Sequence, residues 1–273
     1  MVNGYWPTSL EEAIKIYSEE DCTLYAGGTD LMVMGNTDIS YLYLGGINEL
    51  KDIRVEKDSV FIGSGVTFAD AVNDERIPLP LRLAAGSVAS PAIRNSATFG
   101  GNIANASDKA DTVPAEFALD AKVHLVSKLG ERIVDIDKFH IARKHLDIRE
   151  GEIITGITIP VSGKEKYYFK KVGGRNSMAV SFITFAGLFE EENGVIKRIS
   201  VAFGSVSDAI VRFRDIENLL IGKSIADAKL LKNDIISKYN EALVTVDGRV
   251  SKEYCRIVCI NLLKDFLQET AGI

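Results

Sequence analysis

Two glycine-centred segments, about 70 residues apart, carry the residue types in this chain that could bind an anionic ligand. The first, residues 26–31, reads AGGTDL and follows an apolar run, which predicts a strand that ends in a tight turn. Adjacent glycines let main-chain N–H groups approach a ligand without a Cβ in the way. We expect Thr29 and Asp30 to cap a short helix that begins at Leu31.

The second segment, residues 93–111, reads IRNSATFGGNIANASDKAD and mixes amides and hydroxyls with few large apolar groups. This composition predicts a polar loop from about Ser87 to Ser107, and its flanks favour a functional loop over a disordered one. Asp111 could accept hydrogen bonds from sugar hydroxyls, and four other side chains suit a ribityl chain: Thr98, Asn102, Asn105 and Ser107. Because glycine turns expose free N–H groups, the two segments together predict a cradle for the pyrophosphate of a dinucleotide.

Other catalytic patterns are missing from the sequence. It has neither a Gly-x-x-x-x-Gly-Lys-Ser/Thr phosphate loop nor a Gly-x-Ser-x-Gly nucleophile motif, and Gly63-Ser64-Gly65 lacks the third glycine of a dinucleotide fingerprint. The histidines show no metal-ligand spacing, so we expect structural or surface roles for His124, His140 and His145. Disulfides are not expected among the three cysteines, Cys22, Cys255 and Cys259, and we expect Cys255 and Cys259 to be buried thiols rather than metal ligands.

Length and composition limit the class of protein. A chain of 273 residues exceeds a typical single core, so we expect two domains or one two-lobed unit. The formal net charge of −6, without a basic face, argues against nucleic acid as a partner. The sequence lacks an apolar stretch of the roughly 18 residues that a membrane span needs. The N-terminus also lacks the pattern of a signal peptide, so a cytoplasmic location is expected.

Helix and strand signals both occur along the chain, and the helices that follow a run of strands in its last third predict an α+β domain packed on one sheet face. Up to Pro160 the predicted helices begin at Leu10, Phe68 and Val113 or run through Ala85, and the predicted strands cover residues 23–26, 41–44, 60–63, 121–127, 131–134 and 153–159. A domain boundary is expected just after Pro160. Beyond it, the Asn193-Gly194 pair predicts a hairpin of residues 181–190 and 195–203. Helices are then predicted over residues 216–220, 224–239 and 251–267.

Residues 26–31 and 93–107, together with Asp111 and the Pro114-Ala115 pair, resemble the FAD-binding subunit of the molybdenum hydroxylases. This family includes the medium subunit of carbon monoxide dehydrogenase and the flavin domain of xanthine dehydrogenase, and the resemblance covers nearly the whole chain. It implies an α+β fold. A two-lobed FAD-binding domain of the vanillyl-alcohol-oxidase (PCMH) type is expected over residues 1–162, with lobes of about 1–55 and 56–162. A smaller α+β C-terminal domain of the carbon monoxide dehydrogenase flavoprotein type is expected over 163–273.

The resemblance also implies which residues hold the cofactor. FAD is expected between the lobes, with its isoalloxazine ring towards the C-terminal domain. The pyrophosphate would be bound by the first turn: Ala26, Gly27, Gly28, Thr29, Asp30 and Leu31. The second segment would hold the diphosphate, ribityl and ribose portions: Thr98, Gly100, Gly101, Asn102, Asn105 and Asp111. Residues expected near the ring systems are Val88, Ala89, Ile93, Ile153, Ile154 and Lys171, the last in a Lys-x-x-x-Arg pattern that ends at Arg175.

Two departures from the family pattern refine the expected cofactor content. Some relatives carry a histidine after the paired glycines, where this chain has Thr29, so non-covalent FAD is expected. One branch of the family inserts a cysteine-rich loop for an additional iron–sulfur cluster. This chain lacks the insertion, and the sequence therefore predicts no metal or cluster of its own.

The function that the resemblance implies is electron transfer. Iron–sulfur clusters of a partner subunit would reduce FAD, which would pass a hydride to NAD⁺ or another acceptor. Molybdopterin would be bound by a third subunit of a heterotrimeric complex. One alternative is a stand-alone FAD oxidase, for which the nearest candidate side chains over the flavin are Tyr167, Tyr168 and Arg175. Another alternative is a regulatory or assembly module that has lost its flavin.

Overall fold

A small parallel sheet opens the fold of the computed structural model, which describes residues 2–35, 38–175 and 178–273. Its strands are β1 (Gly4–Tyr5), β2 (Thr23–Tyr25) and β3 (Tyr41–Tyr43), in the order β1-β3-β2, and its helices are α1 (Leu10–Glu19) and α2 (Leu31–Met34). Helix α1 begins where the sequence predicts, because Ser9 Oγ accepts a hydrogen bond of 3.2 Å from the Glu12 N–H. Two 3-10 turns, Leu44–Gly46 and Asn48–Lys51, lead out of the sheet.

A five-stranded antiparallel sheet and six short helices make up the middle of the chain. In chain order the elements are β4 (Ile53–Val55), β5 (Ser59–Gly63), α3 (Phe68–Asn73), α4 (Leu79–Ser87), α5 (Pro91–Arg94), α6 (Phe99–Asn105), α7 (Val113–Ala118), β6 (Lys122–Ser127), β7 (Gly130–Asp135), α8 (Ile136–Phe139), β8 (His140–Ala142), β9 (His145–Leu146) and β10 (Ile153–Pro160). The strand order is β4-β5-β10-β6-β7, and β8 with β9 forms a separate two-stranded hairpin.

A four-stranded antiparallel sheet and three helices complete the fold. The elements are β11 (Lys166–Gly173), β12 (Ser181–Glu192), β13 (Val195–Gly204), β14 (Val211–Arg212), α9 (Arg214–Glu217), α10 (Ile225–Ala242) and α11 (Lys252–Asp265), followed by a π-helical turn, Phe266–Thr270. Within the described ranges, none of the helices combines the length and the apolar character needed to cross a membrane.

The four-stranded sheet is buried on both faces, and strand β12 shows why. Its side chains alternate, so Ala186 and Leu188 join the core that contains α4 and α7. Phe185 and Phe189 point the other way, into the core formed with α10 and α11. Helices α4 and α7 therefore pack on the four-stranded sheet from the side of the core that it shares with the five-stranded sheet.

Most of the predicted elements are confirmed, including the hairpin at Asn193-Gly194, where both residues have positive φ. The predicted polar loop over residues 87–107 is wrong, because it contains α5 and α6. The hydroxyls of Ser90 and Thr98 cap these helices, so polar side chains that suggested a loop in fact begin helices. Strand β11 lies just after the predicted domain boundary and was not predicted from the sequence.

Candidate cofactor site

A cavity of about 1010 Å³ lies where the parallel sheet meets α6, and both glycine-centred segments line it. From the first segment the lining residues are Ala26, Gly27, Gly28, Thr29, Asp30 and Leu31; from the second they include Thr98, Gly100, Gly101, Asn102 and Asn105. Ile154 of β10 also lines the cavity. The tertiary structure thus brings together two segments that are about 70 residues apart in the sequence.

The first turn is a glycine cradle that packs directly on the second segment. A Cβ at Gly27 would lie 1.9 Å from the Ser96 carbonyl oxygen, and Gly28 has a φ of +67°. Within the described part of the chain, no group accepts a hydrogen bond from the main-chain N–H groups of Gly27, Gly28 or Thr29. Donors that line a cavity without an internal acceptor suit an anionic ligand.

Asp30 does not cap α2 with its side chain, contrary to the sequence-based expectation. Its Oδ2 instead accepts a hydrogen bond of 3.0 Å from Asn105 Nδ2, on the last residue of α6. The carboxylate therefore connects the two glycine-centred segments.

The paired glycines of the second segment serve two different purposes. A Cβ at Gly100 would lie 2.4 Å from Ser64 Cβ, so Gly100 is required for the close packing of α6 on the residues that follow β5. At Gly101 the nearest atoms would be Thr98 Oγ1 at 3.1 Å and Ala26 Cβ at 4.0 Å. Gly101 therefore faces the first turn with space for a small group.

Positive charge predominates in the cavity wall. Among the described residues that line it, Lys51 and Lys144 are the lysines and Asp30 supplies the one carboxylate. Lys144 Nζ donates to the Asn105 carbonyl oxygen at 2.7 Å and also to Asn105 Oδ1. This balance favours a ligand with negative charge, such as a diphosphate.

Tyrosine rings form another part of the wall. The ring centroid of Tyr25 lies 5.8 Å from that of Tyr43, and both side chains line the cavity. Tyr41 packs edge-on against Tyr25 with a centroid distance of 5.6 Å. Aromatic surface beside unpaired N–H groups and lysines can hold a ligand that is planar at one end and anionic at another.

Several lining residues were not predicted from the sequence: Tyr17, Cys22, Tyr25, Tyr43, Lys51, Ser64, Gly65, Lys144, His145 and Leu146. Ser64 and Gly65 belong to the Gly-Ser-Gly run that lacks a third glycine, so the run has a role in the cavity wall without being a dinucleotide fingerprint. Lys144 and His145 lie at the tip of the β8–β9 hairpin, and nothing in the local sequence indicates that this tip reaches the cavity.

Six residues of the predicted site lie outside the cavity lining: Val88, Ala89, Ile93, Asp111, Ile153 and Lys171. Asp111 is 8 % exposed and its Oδ2 pairs with Lys171 Nζ at 2.7 Å, while its Oδ1 accepts hydrogen bonds from Ser181 and Thr184. Lys171 Nζ also donates to the Ser87 carbonyl oxygen at 2.8 Å. Asp111 thus joins the middle of the chain to β11 and β12, and its contact with a cofactor stays a prediction.

Taken together, the lining fits FAD. Unpaired main-chain donors and lysines suit its diphosphate, amides and hydroxyls suit its sugar and ribityl groups, and tyrosine rings offer surface to a planar ring. The paired glycines leave room for a ligand to approach the main chain.

Comparison with known proteins agrees with this fit. Residues 1–162 match the family described as FAD binding domain in molybdopterin dehydrogenase, and residues 167–270 match the CO dehydrogenase flavoprotein C-terminal domain. The xanthine dehydrogenase FAD-binding subunit of Escherichia coli O157:H7 is 31 % identical over 222 residues, which cover 77 % of this chain and 75 % of that protein. The glyceraldehyde dehydrogenase medium chain of Sulfolobus acidocaldarius is 30 % identical and covers 96 % of both chains.

Solved structures show the same fold. A chain of carbon monoxide dehydrogenase from Hydrogenophaga pseudoflava superposes with a TM-score of 0.88 at 23 % identity, and the match covers 98 % of this chain and 96 % of that one. The architecture is therefore a FAD-binding domain followed by a CO dehydrogenase flavoprotein C-terminal domain, as the sequence predicts. On these matches and on the geometry of its cavity, the chain belongs to the FAD-binding subunits of the molybdenum hydroxylase family, which are parts of oxidoreductases.

Proposed function

We propose that this chain binds FAD non-covalently in the 1010 Å³ cavity and serves as an electron-transfer subunit. The observation that carries the proposal is the pairing of two features in one cavity. Gly27, Gly28 and Thr29, whose N–H groups bond to no described residue, line the same cavity as Asn102 and Asn105. Bound FAD would accept electrons from iron–sulfur clusters of a partner subunit and pass them to NAD⁺ or another acceptor.

In this proposal the chain binds and orients the cofactor. The first turn holds the diphosphate through main-chain donors, with Lys144 adding positive charge. Asn102 and Thr98 supply polar groups to the sugar and ribityl portions, and Ile154 gives an apolar contact. Thr29 stands where some relatives carry a histidine, and we therefore propose that FAD is bound non-covalently.

The six predicted site residues outside the lining are proposed to border the flavin end. They are Val88, Ala89, Ile93, Asp111, Ile153 and Lys171. Asp111 and Lys171 lie where the middle of the chain meets β11 and β12, which supports a flavin ring directed towards the C-terminal domain. We propose domain limits of 1–162, with lobes of about 1–55 and 56–162, and 163–273.

The partners are proposed from the relatives. Their names describe FAD-binding subunits and medium chains of dehydrogenases. We propose that this chain assembles with an iron–sulfur subunit and a molybdopterin-binding subunit in a heterotrimeric cytoplasmic complex. Substrate hydroxylation would then occur on a different chain.

The alternative of a stand-alone oxidase receives no support from the candidate side chains. Tyr167, Tyr168 and Arg175 are absent from the described cavity lining. Burial raises the pKa of Tyr167, which opposes a role as a base. Arg175 Nε donates to the Met178 carbonyl oxygen at 3.1 Å instead of reaching the cavity.

The test is the absorption spectrum of the purified full chain, before and after anaerobic addition of NADH. We expect a flavin spectrum, release of FAD on denaturation, and bleaching by NADH. A colourless protein that takes up no added FAD would refute cofactor binding. Bleaching by a small organic substrate without partner subunits would favour the oxidase, and an active monomer isolated from its native source would argue against the complex.

A further inference from the structure

A tyrosine and a pair of glycines stand together at the ends of two neighbouring strands. The pattern Tyr-x-Gly-Gly occurs at residues 25–28, where β2 ends, and again at residues 43–46, where β3 ends. Strands β2 and β3 are parallel, and Tyr25 lies opposite Tyr43 in their register. Parallel strands end at the same edge of their sheet, so the two motifs lie side by side and both contribute to the cavity lining.

Each tyrosine ring folds back over the glycine turn that follows it. A Cβ on Gly28 would lie 2.2 Å from Tyr25 Oη, and a Cβ on Gly45 would lie 2.2 Å from Tyr43 Oη, so both ring positions depend on these glycines. The two ring centroids are 5.8 Å apart. The rings therefore form one aromatic surface in the cavity wall, and a planar base stacks on such a surface.

The same cavity wall carries hydrogen-bond donors without a partner. Neither tyrosine hydroxyl bonds to a residue that the structure describes, and the same is true of the ammonium group of Lys51, which also lines the cavity. The N–H groups of the first turn, at Gly27, Gly28 and Thr29, likewise have no described acceptor. Such donors stabilise phosphate oxygens, so the ligand that fits carries phosphate close to a planar ring.

The flavin end of FAD has little contact with this cavity. Of the residues that the sequence predicts near the ring systems, Ile154 lines the cavity, whereas five others do not: Val88, Ala89, Ile93, Ile153 and Lys171. The isoalloxazine ring is proposed to point towards β11 and β12. This direction leaves the tyrosine surface to the other planar group of the cofactor, which is the adenine.

We propose that the cavity is a binding site for adenosine diphosphate (ADP) that is complete without flavin. The adenine stacks on Tyr25 and Tyr43, and the diphosphate accepts hydrogen bonds from the main chain of the first turn, with Lys51 adding positive charge. This inference rests on the proposed binding of FAD, because the direction of the flavin ring assigns the tyrosine surface to the adenine. It adds that the chain binds free ADP, which competes with FAD for the site.

Calorimetric titration of the full chain, freed of its flavin, compares ADP with FMN, which carries the flavin ring and one phosphate but no adenine. We expect one ADP to bind per chain, and FMN to bind at least about 30-fold more weakly. A second measurement starts from the FAD-loaded chain and collects the released FAD by ultrafiltration. ADP at about ten times its own dissociation constant should raise the apparent dissociation constant of FAD about tenfold.

Tyrosine variants test the aromatic surface. Tyr25→Ala and Tyr43→Ala should each weaken ADP binding about tenfold, since each removes a ring on which the adenine stacks. Tyr25→Phe keeps the ring and its packing and loses only the hydroxyl, so its affinity for ADP should fall about threefold. The control is Tyr254→Ala in α11, because Tyr254 is 41 % exposed and lies outside the cavity lining, and this variant should bind ADP like the unsubstituted chain.

Three results would overturn the inference: tighter binding of FMN than of ADP, FAD binding that ADP does not weaken, or cavity-tyrosine variants that bind ADP like the unsubstituted chain. A chain that binds FAD but not ADP would refute this inference alone. A chain that binds ADP but not FAD would refute the proposed function and leave the ADP site in place.

Discussion

Asn105 Nδ2 donates a hydrogen bond of 3.0 Å to Asp30 Oδ2, which joins two residues separated by 75 positions in the sequence. Lys144 Nζ donates to the carbonyl oxygen of the same asparagine at 2.7 Å. Through its side chain and its carbonyl oxygen, Asn105 therefore joins the first glycine turn, the end of α6 and the β8–β9 hairpin at the wall of the cavity. The cradle owes its shape to this contact as well as to its glycines.

Replacing Asn105 by alanine should lower FAD affinity about tenfold, since Asp30 loses its partner and Lys144 keeps only the main-chain carbonyl oxygen of residue 105. A hydrogen bond to a charged group contributes about 1.5–3 kcal/mol, and a loss of this size corresponds to a decrease in affinity of about tenfold or more. The matched control is Asn95→Ala, because Asn95 also lines the cavity and its side chain bonds to no described residue. Equal loss of affinity in the two variants, measured by flavin titration, would contradict the role given to Asn105.

Three glycine-to-alanine substitutions should give three different results. Gly27→Ala places a Cβ 1.9 Å from a main-chain oxygen, so we expect a loss of about 1–3 kcal/mol or more in the free energy of unfolding. Gly101→Ala meets no atom closer than 3.1 Å, so the fold should persist while FAD affinity falls. Gly86→Ala lies in α4 with its nearest neighbour at 3.5 Å, and it should stabilise the protein by up to about 1 kcal/mol.

Urea denaturation and flavin titration together separate these cases. If Gly27→Ala proved as stable as the unsubstituted chain, the close packing of the first turn on Ser96 would be refuted.

Removing Asp111 should destabilise the fold. Its partner Lys171 has only 14 % of its side chain exposed, and Asp111→Ala leaves that ammonium group unpaired. Breaking a buried pair from one side costs about 3–5 kcal/mol, whereas replacing both partners with apolar groups costs much less. The double variant Asp111→Leu, Lys171→Met should therefore recover most of the loss.

The control for this prediction is Lys164→Ala, since the pair that Lys164 forms with Glu192 is exposed on both sides. An exposed pair contributes at most about 1 kcal/mol. The free energies are compared by urea denaturation, and a loss at Asp111 no larger than that at Lys164 would show that the pair is unimportant for the fold.

Glu116 should make the stability of the protein depend on pH. Because burial raises its pKa from 4.5 to about 8, the folded state holds this proton more tightly than the unfolded state. The stabilisation that results from this tighter binding of the proton is complete below pH 4.5. It is lost as the pH rises towards 8, by about 1.4 kcal/mol of unfolding free energy per pH unit. As the pH rises from 5 to 8, the free energy of unfolding of Glu116→Gln should therefore increase by roughly 4 kcal/mol relative to that of the unsubstituted chain.

Melting temperatures at the two pH values measure this gain. A constant difference between the variants would mean that Glu116 ionises normally in the folded protein.

Local chemistry in the sequence determined the helix starts, the hairpin and the cofactor class. Ser9, Thr67 and Ser224 each cap a helix with a hydroxyl that accepts from an N–H three residues later, and such contacts need no distant partner. Asn193-Gly194 likewise adopts positive φ from its own residue types. The two glycine-centred segments could also be identified from their own residue types, because the close approach of their main chains depends on the absence of side chains.

Only the tertiary structure decided which side chains surround the cavity. Lys144 reaches it from a hairpin tip, and Tyr43 reaches it from a strand of the parallel sheet. Asp111 turns to Lys171 rather than to the cavity lining. Glu116 is buried in α7, and its carboxyl oxygens bond to no residue that the structure describes. These outcomes depend on contacts between residues far apart in the chain, and a short stretch of sequence does not determine which distant residues will pack against it.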